Sequence, residues 1–220
     1  MAIVTGAKTV YHNIPNGTSF SISHTHLSGA DGLLIVSAAH ANSASITGMT
    51  YNGVAMTQLV NMDVSTQSIR HSFFYIKNPS VGTYNITTTF SGPQFNYSSF
   101  QCTSYTGADI GNFINTADSL SSPVSQAITV SANSLIYARG VSPNSFTQID
   151  VAGTIYTSGF EPDNVNINKI TAGGYSGILT AGSKNVVMTT TSGYLHMIAV
   201  EVKEVGVLPP STNTNFLIMF

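Results

Sequence analysis

The most suggestive residues for chemistry are two histidines in "SHTH". His24 and His26 are two positions apart, so in a β-strand both side chains lie on one face, where they could bind a metal ion as a pair. A metal site would need a third ligand, and the histidines that could supply it stand at no diagnostic spacing: His12, His40, His71 and His196. The alternative is a pair of exposed or hydrogen-bonded strand histidines. If that pair is buried, protonation at low pH is expected to disturb the fold.

A second group of oxygen ligands lies in "FEPDNVNINK". Glu161 and Asp163 alternate with asparagines, an arrangement that could surround a Ca²⁺ ion. The spacing is not that of a known calcium loop, so a solvated loop is the alternative. The same two acids are also candidates for glycosidase carboxylates, which must be held on either side of a sugar. Tyrosine and asparagine together in "QFNYSSF" and "YTSGFEPDN" are typical of sugar-binding surfaces and also of plain sandwich cores and interfaces.

Other catalytic signals are absent from the sequence. The single cysteine, Cys102, lies in the strand-like run "SSFQCTSYTG" and is predicted to be a small buried hydrophobic residue. The chain contains no phosphate-binding loop, dinucleotide fingerprint, nucleophile elbow or Cys/His metal pattern. We therefore expect a protein that is not an enzyme and needs no cofactor.

The composition bears on partners and location. Charged residues make up only 7% of the 220 residues, and the seven lysines and arginines are scattered, so we expect no nucleic-acid partner. Hydroxyl and amide side chains supply the polarity instead, as in many extracellular β-proteins. The N-terminus resembles no secretory signal. Virion proteins, made in the host cytoplasm without a signal peptide, reconcile these two observations, and we expect no membrane insertion.

Alternating hydrophobicity predicts β-strands nearly throughout. "TYNITTTF" and "MIAVEVKEV" are predicted to be half-buried strands, whereas Leu33 to Ala39 is apolar on both faces and is predicted to be a central strand. Asn52-Gly53, between apolar-alternating arms, predicts a tight hairpin. Residues 107–124 are predicted to form one short helix or a long loop.

These elements predict an all-β fold, an antiparallel β-sandwich of jelly-roll type. Residues 1–206 form one domain in this interpretation, because no shift in composition divides them. Residues 207–220 form a linker, which contains two prolines, and an apolar C-terminal tail.

Several stretches between residues 29 and 109 resemble a β-sandwich module that recurs in phage structural proteins and bacterial surface proteins. They are "GADGLLIVSAAH", "ITGMTYNGVAMTQLV", "RHSFFYIKNPSVGTYNITTTFSG" and "SSFQCTSYTGAD", with a weaker echo in "NSLIYARGV" and the final strand. The module has no catalytic residues to transfer. The resemblance implies a display or assembly role, often on virion surfaces.

The chain ends on five apolar residues: Phe216, Leu217, Ile218, Met219 and Phe220. Burying them would contribute several kcal/mol, at roughly 1.5–3 kcal/mol each before ordering costs. Exposed, they match the signature of an aggregating segment. Three destinations are open: the chain's own domain, a neighbouring subunit to which the tail adds a strand, or a membrane. The extended linker favours the subunit interface.

The leading interpretation is a non-enzymatic virion structural protein, a capsid, decoration, tail or fibre component of a phage. It would assemble through homo-oligomeric contacts with copies of itself and with other virion proteins. The alternatives are a carbohydrate-binding attachment module that recognises a cell-surface glycan, and an exported fibre or adhesin subunit.

Overall fold

The structure is a computed structural model. It describes residues 2–12, 15–41, 43–64, 68–94, 98–115, 122–142, 144–157, 171–191 and 193–206. These residues form seventeen β-strands. Within the same ranges no helix has the length and apolar character needed to cross a membrane.

The strands fall into two consecutive groups, one in each half of the chain. The first group contains β1 (Val4–His12), β2 (Gly17–His26), β3 (Leu33–Ala41), β4 (Ile46–Tyr51), β5 (Val54–Ala55), β6 (Thr57–Val64), β7 (Ile69–Lys77), β8 (Gly82–Gln94) and β9 (Ser98–Thr106). The second group contains β10 (Ala108–Asn115), β11 (Val124–Val130), β12 (Leu135–Val141), β13 (Phe146–Val151), β14 (Thr154–Thr157), β15 (Thr171–Tyr175), β16 (Gly182–Thr190) and β17 (His196–Glu204).

Each group forms a sandwich of two antiparallel sheets. In the N-terminal sandwich, the outer N sheet has the order β2-β8-β4-β5 and the inner N sheet the order β1-β9-β3-β7-β6. In the C-terminal sandwich, the inner C sheet has the order β10-β17-β12-β15 and the outer C sheet the order β11-β16-β13-β14. The two inner sheets pack face to face, so the molecule has four layers.

Three large apolar clusters, and a small one of Ala39, Ile69 and Val141, fill the spaces between the layers. The first, which includes Ile22, Val36 and Phe100, lies inside the N-terminal sandwich. The second, which includes Ile149 and Met197, lies inside the C-terminal sandwich. The third joins the two inner sheets and combines residues of both halves: Leu33, Ile35, Phe73, Tyr105, Tyr137, Ile198 and Val200 among others. The phenyl ring of Phe73 lies 5.7 Å from the ring of Tyr137 across this interface.

Burial follows the position of each strand in the layers. β3 is buried from Leu33 to His40, which confirms the predicted central strand, and β8 alternates between buried and exposed residues as predicted. The prediction of a half-buried final strand is wrong, because β17 is buried on both faces from His196 to Val202. The inner N sheet covers the face of β17 that the alternating sequence pattern predicted to be exposed.

The C-terminal sandwich repeats the N-terminal one. Apart from β6, each strand of the first group has a counterpart in the second at the same place in the sheet order. Several hydrogen bonds recur with residue numbers shifted by 100. They are Asn52 N to Asn85 O and Ala152 N to Asn185 O, Ser91 N to Ser45 O and Thr191 N to Ser145 O, and Thr47 Oγ1 to Thr89 O and Thr147 Oγ1 to Thr189 O. The chain therefore builds one backbone arrangement twice.

Two sequence predictions concern the junction of the two sandwiches. The helix or loop predicted for residues 107–124 is wrong at its start, because Ala108–Asn115 is β10. β10 pairs with β17, where Ile110 lies opposite Val202 and Ile114 opposite Ala199. Two isoleucines four positions apart fit a strand as well as a helix, so the short segment alone did not distinguish the two. The single domain predicted for residues 1–206 stays a prediction, and residues 207–220 lie outside the described residues.

The duplicated hairpin gives a matched test of turn conformation. Asn52 and Gly53 have φ values of 50° and 77°, which confirms the predicted hairpin, and Ala152 and Gly153 have φ values of 51° and 88°. A Cβ at Gly53 would contact nothing within 4 Å, so only the backbone conformation opposes a larger residue.

We expect Gly53→Ala to lower the free energy of unfolding by about 1 kcal/mol and Ala152→Gly to raise it by up to about 1 kcal/mol, because an alanine is strained at positive φ. Thermal denaturation measures both changes. Gly48→Ala is the control, because a Cβ there also meets nothing within 4 Å and Gly48 has no positive φ. Equal signs for the two hairpin variants would contradict the prediction.

Candidate functional site

The two inner sheets enclose a group of buried polar side chains, which we call the central cluster. It contains Ser37, His71, Ser99, Arg139, Thr171 and His196, and each of them is at most 1% exposed. Residues of the N-terminal sandwich supply one side of the cluster and residues of the C-terminal sandwich the other. Its members lie within an otherwise apolar interface, so they must satisfy one another's hydrogen bonds.

A histidine pair crosses the interface at the centre of the cluster. His71 Nδ1 lies 3.1 Å from His196 Nδ1, His71 Nε2 lies 3.4 Å from Ser37 Oγ, and His196 Nε2 lies 3.2 Å from Met62 Sδ. A thioether accepts but cannot donate, so His196 donates from Nε2 and accepts at Nδ1. His71 then donates from Nδ1 and accepts at Nε2 from the Ser37 hydroxyl. This chain of donors and acceptors is complete with both rings neutral.

Arg139 reaches from β12 into the opposite sheet. Its Nη1 donates to Ser37 O at 2.7 Å and its Nη2 donates to Ser99 Oγ at 2.6 Å, while Thr171 Oγ1 donates to Ser99 Oγ at 3.2 Å. Arg139 is the largest fully buried side chain among the described residues. The guanidinium thus holds both central strands of the inner N sheet, β3 and β9, from the other sandwich.

The electrostatics of the cluster oppose protonation of its histidines. Burial lowers the pKa of His71 well below its usual value of 6.5, and His196, Arg139 and His40 lower it further by charge repulsion. His40 lies instead inside the N-terminal sandwich, where burial lowers its pKa to about 4 and its ring packs edge-on against Phe90 at 5.3 Å. Protonation of His71 would therefore disrupt the packing of the interface.

The rim of the interface is polar and partly exposed. Lys77 of β7 pairs with Asp109 of β10 at 2.6 Å, and the ammonium of Lys8 of β1 lies 4.0 Å above the ring centre of Tyr175 of β15. Both contacts join the two sandwiches. The interface therefore has an apolar and histidine-containing centre with charged groups at its edge, as in other protein interfaces.

The predicted pair His24 and His26 lies elsewhere, on the inward face of β2. His24 Nε2 lies 2.6 Å from Ser104 Oγ and its Nδ1 lies 2.9 Å from Thr9 Oγ1, so hydroxyl groups contact both ring nitrogens. Burial, followed by repulsion from His26, lowers the pKa of His24 to about 4. His26 is also buried. Among the residues with described positions, no three His, Cys, Asp or Glu side chains are grouped as a metal site.

Of the remaining predicted residues, only Cys102 lies within the described ranges. Cys102 is fully buried within the first apolar cluster, which confirms the prediction, and burial raises the pKa of its thiol to about 12. Glu161 and Asp163 lie outside the described residues. The same is true of the tail residues Phe216, Leu217, Ile218, Met219 and Phe220.

From the sequence, His71 and His196 are candidates only as additional metal ligands for the His24 pair, whereas the structure places the two in contact with each other. They are 125 residues apart in the chain, so no spacing could indicate their contact. The available signal was a polar histidine at one end of an apolar strand in each half, "RHSFFYIK" and "LHMIAVEV". No protein family, curated protein or solved structure matches this chain.

We expect acid to destabilise the protein. The folded-state pKa values of His24, His40 and His71 lie below the unfolded value of 6.5, so the stability that their neutral forms provide is complete above pH 6.5. It falls as the pH drops from 6.5 toward about 4, because the unfolded chain then binds protons that the folded protein excludes. Each ring contributes up to about 1.4 kcal/mol per pH unit within this range.

Denaturant unfolding between pH 4 and 8 measures this effect. His71→Gln should flatten the pH dependence, because one buried titrating ring is lost. His12→Gln is the control, because His12 is only half-buried and should change the slope less. Stability that does not vary over this range, or a larger effect of the His12 variant, would overturn the interpretation.

Arg139 provides a second test of the interface. We expect Arg139→Leu to lower the free energy of unfolding by about 3 kcal/mol, because the Ser37 carbonyl and the Ser99 hydroxyl lose a buried charged donor. Arg70→Leu is the matched control, since Arg70 forms a partly exposed ion pair with Asp63 at 3.2 Å, and its loss should cost about 1 kcal/mol or less. Equal effects of the two variants in denaturant titrations would contradict the role of Arg139.

Proposed function

We propose that this chain is a non-enzymatic structural protein of a virion, a component of a phage capsid, decoration, tail or fibre, built from two jelly rolls. The strand order, repeated in both halves, is the observation that carries the proposal. Virion shells and attachment structures make frequent use of jelly rolls. The fold alone does not specify this function, and the outer sheets and the C-terminal tail provide further support for it.

The strand order supports the jelly-roll interpretation. Eight strands that fold as two Greek keys pair in the orders 1-8-3-6 and 2-7-4-5. The C-terminal sandwich has these orders when β10 to β17 are counted from one to eight. The N-terminal sandwich has the same orders when β6, an additional strand at the edge, is left out of the count.

The face-to-face packing supports a structural role. Each inner sheet is covered on both sides, so the two sandwiches form a four-layered block whose outer sheets face solvent. The outer N sheet presents hydroxyl and amide side chains: Ser19, Ser21, Ser23, Thr25, Thr83, Asn85, Thr87 and Thr89. Faces of this kind can pack against neighbouring subunits with little electrostatic repulsion, which suits assembly at high local concentration.

The tail supplies the proposed contact between subunits. Residues 216–220 have no charged side chain, and residues 208–215 would span about 25 Å if extended, at ~3.1–3.4 Å per residue. That length allows the tail to reach a neighbouring copy and add a strand to an open sheet edge. Among the strands that the structure describes, the end strands of each sheet, for example β1 and β14, have a paired neighbour in the sheet on one side only.

Deletion of residues 211–220 tests this proposal. We expect the full chain to form a defined oligomer by light scattering and the deletion variant to be a monomer with an unchanged melting temperature, because the tail acts between subunits. Ser211→Ala together with Thr214→Ala is the control, because it leaves all five apolar residues in place. A monomeric full chain whose melting temperature falls on deletion would show that the tail completes its own domain, and assembly would be lost from the proposal.

A further inference from the structure

The N-terminal sandwich has a small cavity at the end where β2 finishes and β1 begins. Its volume is about 90 Å³, and Gly6, His26, Leu27 and Ser104 are among the residues that line it. Val4 lines it as well, and both Val4 and Leu27 are more than half exposed, so the cavity opens to solvent. None of the lining residues is an aspartate, glutamate, lysine or arginine. A charged ligand would therefore depend on hydrogen-bonding groups of the cavity.

Strand pairing identifies the place in the C-terminal sandwich that corresponds to this cavity. The first strand of each sandwich, β1 or β10, contains a bulge. Gly82 and Gly182 lie opposite the last residues of β2 and β11. Aligning the bulges and these glycines matches the two halves residue by residue. The matches at the cavity are Gly6 with Gly111, Ala7 with Asn112, His26 with Val130, Leu27 with Ser131, Gly32 with Ser134, and Ser104 with Glu201.

In the C-terminal sandwich, hydrogen-bond donors surround the carboxylate of Glu201. Its Oε2 accepts a hydrogen bond from Asn112 N at 2.9 Å. Its Oε1 accepts hydrogen bonds from Ser131 N at 2.6 Å and from Ser134 Oγ at 2.8 Å. Burial raises the pKa of this carboxyl, but the hydrogen bonds outweigh burial and lower the pKa below its usual value. The backbone of this fold thus stabilises a buried carboxylate, chiefly through neutral donors.

The N-terminal sandwich repeats this backbone without the carboxylate. Ser104 is much shorter than the glutamate at the matching position, and its hydroxyl lies 2.6 Å from His24 Nε2. The matching backbone amides, those of Ala7 and Leu27, therefore have no glutamate side chain to bind. The cavity lies at this place, since Gly6, Leu27 and Ser104 all line it.

His26 adds a polar group to the cavity. It is 2% exposed, and its Nδ1 has no hydrogen-bond partner among the residues that the structure describes. A Cβ at Gly32 would lie 2.6 Å from His26 Nε2, so the ring stands beside the position from which Ser134 donates in the other sandwich. A buried ring nitrogen without a partner lowers stability unless a ligand or water satisfies it.

We infer that this cavity binds a small carboxylate, of the size of formate or acetate, in the place that the Glu201 carboxylate fills in the C-terminal sandwich. The amides of Ala7 and Leu27 would donate to its two oxygens, and His26 offers a third donor. The cavity holds about three water-sized groups at ~30 Å³ each, which limits the ligand to a few heavy atoms. This inference does not depend on the structural role proposed above.

An NMR titration of the full chain with sodium formate and sodium acetate, near neutral pH and at constant ionic strength, tests the inference. We expect the amide resonances of Ala7 and Leu27 to shift in a saturable way, with a dissociation constant of about 10 mM or lower. The resonances of Asn112 and Ser131 are the internal control and should not shift, because Glu201 already binds these amides. Sodium chloride in place of the carboxylate measures the effect of salt alone.

Ser104→Glu provides a complementary test. It gives the N-terminal sandwich the side chain that Glu201 provides in the C-terminal one, so it should abolish the saturable shifts at Ala7 and Leu27. Ser23→Glu is the matched control, because it adds the same charge on the exposed face of β2 and should bind formate and acetate like the unaltered chain. Melting temperatures of both variants show whether they are folded, and the titration of the unaltered chain needs neither variant.

Three results would overturn the inference. One is the absence of saturable shifts at Ala7 and Leu27 up to about 200 mM, roughly twenty times the expected dissociation constant. Another is a shift of the same size with sodium chloride, which would show a general effect of salt. The third is unchanged carboxylate binding by a folded Ser104→Glu variant. Neither outcome of the tail-deletion experiment affects these readouts, because they report on residues at the end of the N-terminal sandwich.

Discussion

The architecture depends on the fact that neither inner sheet has a face that tolerates water. β3, β9, β12 and β17 are buried on both sides almost from end to end. An antiparallel sheet normally leaves one face solvated, and a single sandwich can cover only one face of each sheet. The second face of each inner sheet must therefore pack against another sheet. The duplicated chain supplies one, and the two sandwiches bury their inner sheets against each other.

That constraint explains the chemistry at the centre of the molecule. The interface includes polar residues, and a buried polar group without a hydrogen-bond partner lowers stability. His71 and His196 meet this need through neutral rings that donate and accept in sequence, and Arg139 does so by binding the carbonyl of Ser37 and the hydroxyl of Ser99. The arrangement holds the two sandwiches in one relative position. It also makes their packing sensitive to acid, because with both rings protonated the two Nδ1–H groups would face each other.

The duplication separates what the fold requires from what each half adds. Both halves use a tight hairpin and a bulge in the first strand, at Gly6 and Gly111, where close neighbours leave little room for a side chain. The polar contacts near that bulge differ. His24 binds Ser104 in one sandwich, whereas Glu201 accepts hydrogen bonds from Ser131, Asn112 and Ser134 in the other. One backbone arrangement thus accepts different side chains.

The sequence by itself determined the all-β character of the fold, the hairpin at Asn52-Gly53, the central position of Leu33 to Ala39 and the burial of Cys102, because these depend on local periodicity, turn conformation and side-chain polarity. The repeat is also present in the sequence, where "ITGMTYNG" and "FTQIDVAG" occupy matching positions, but the side chains have diverged enough to hide it. Only the tertiary structure decided that the second face of β17 is buried and that His71 contacts His196 rather than the His24 pair. Both outcomes arise from the packing of one sheet on another, and a contact between residues 125 positions apart leaves no trace in local spacing.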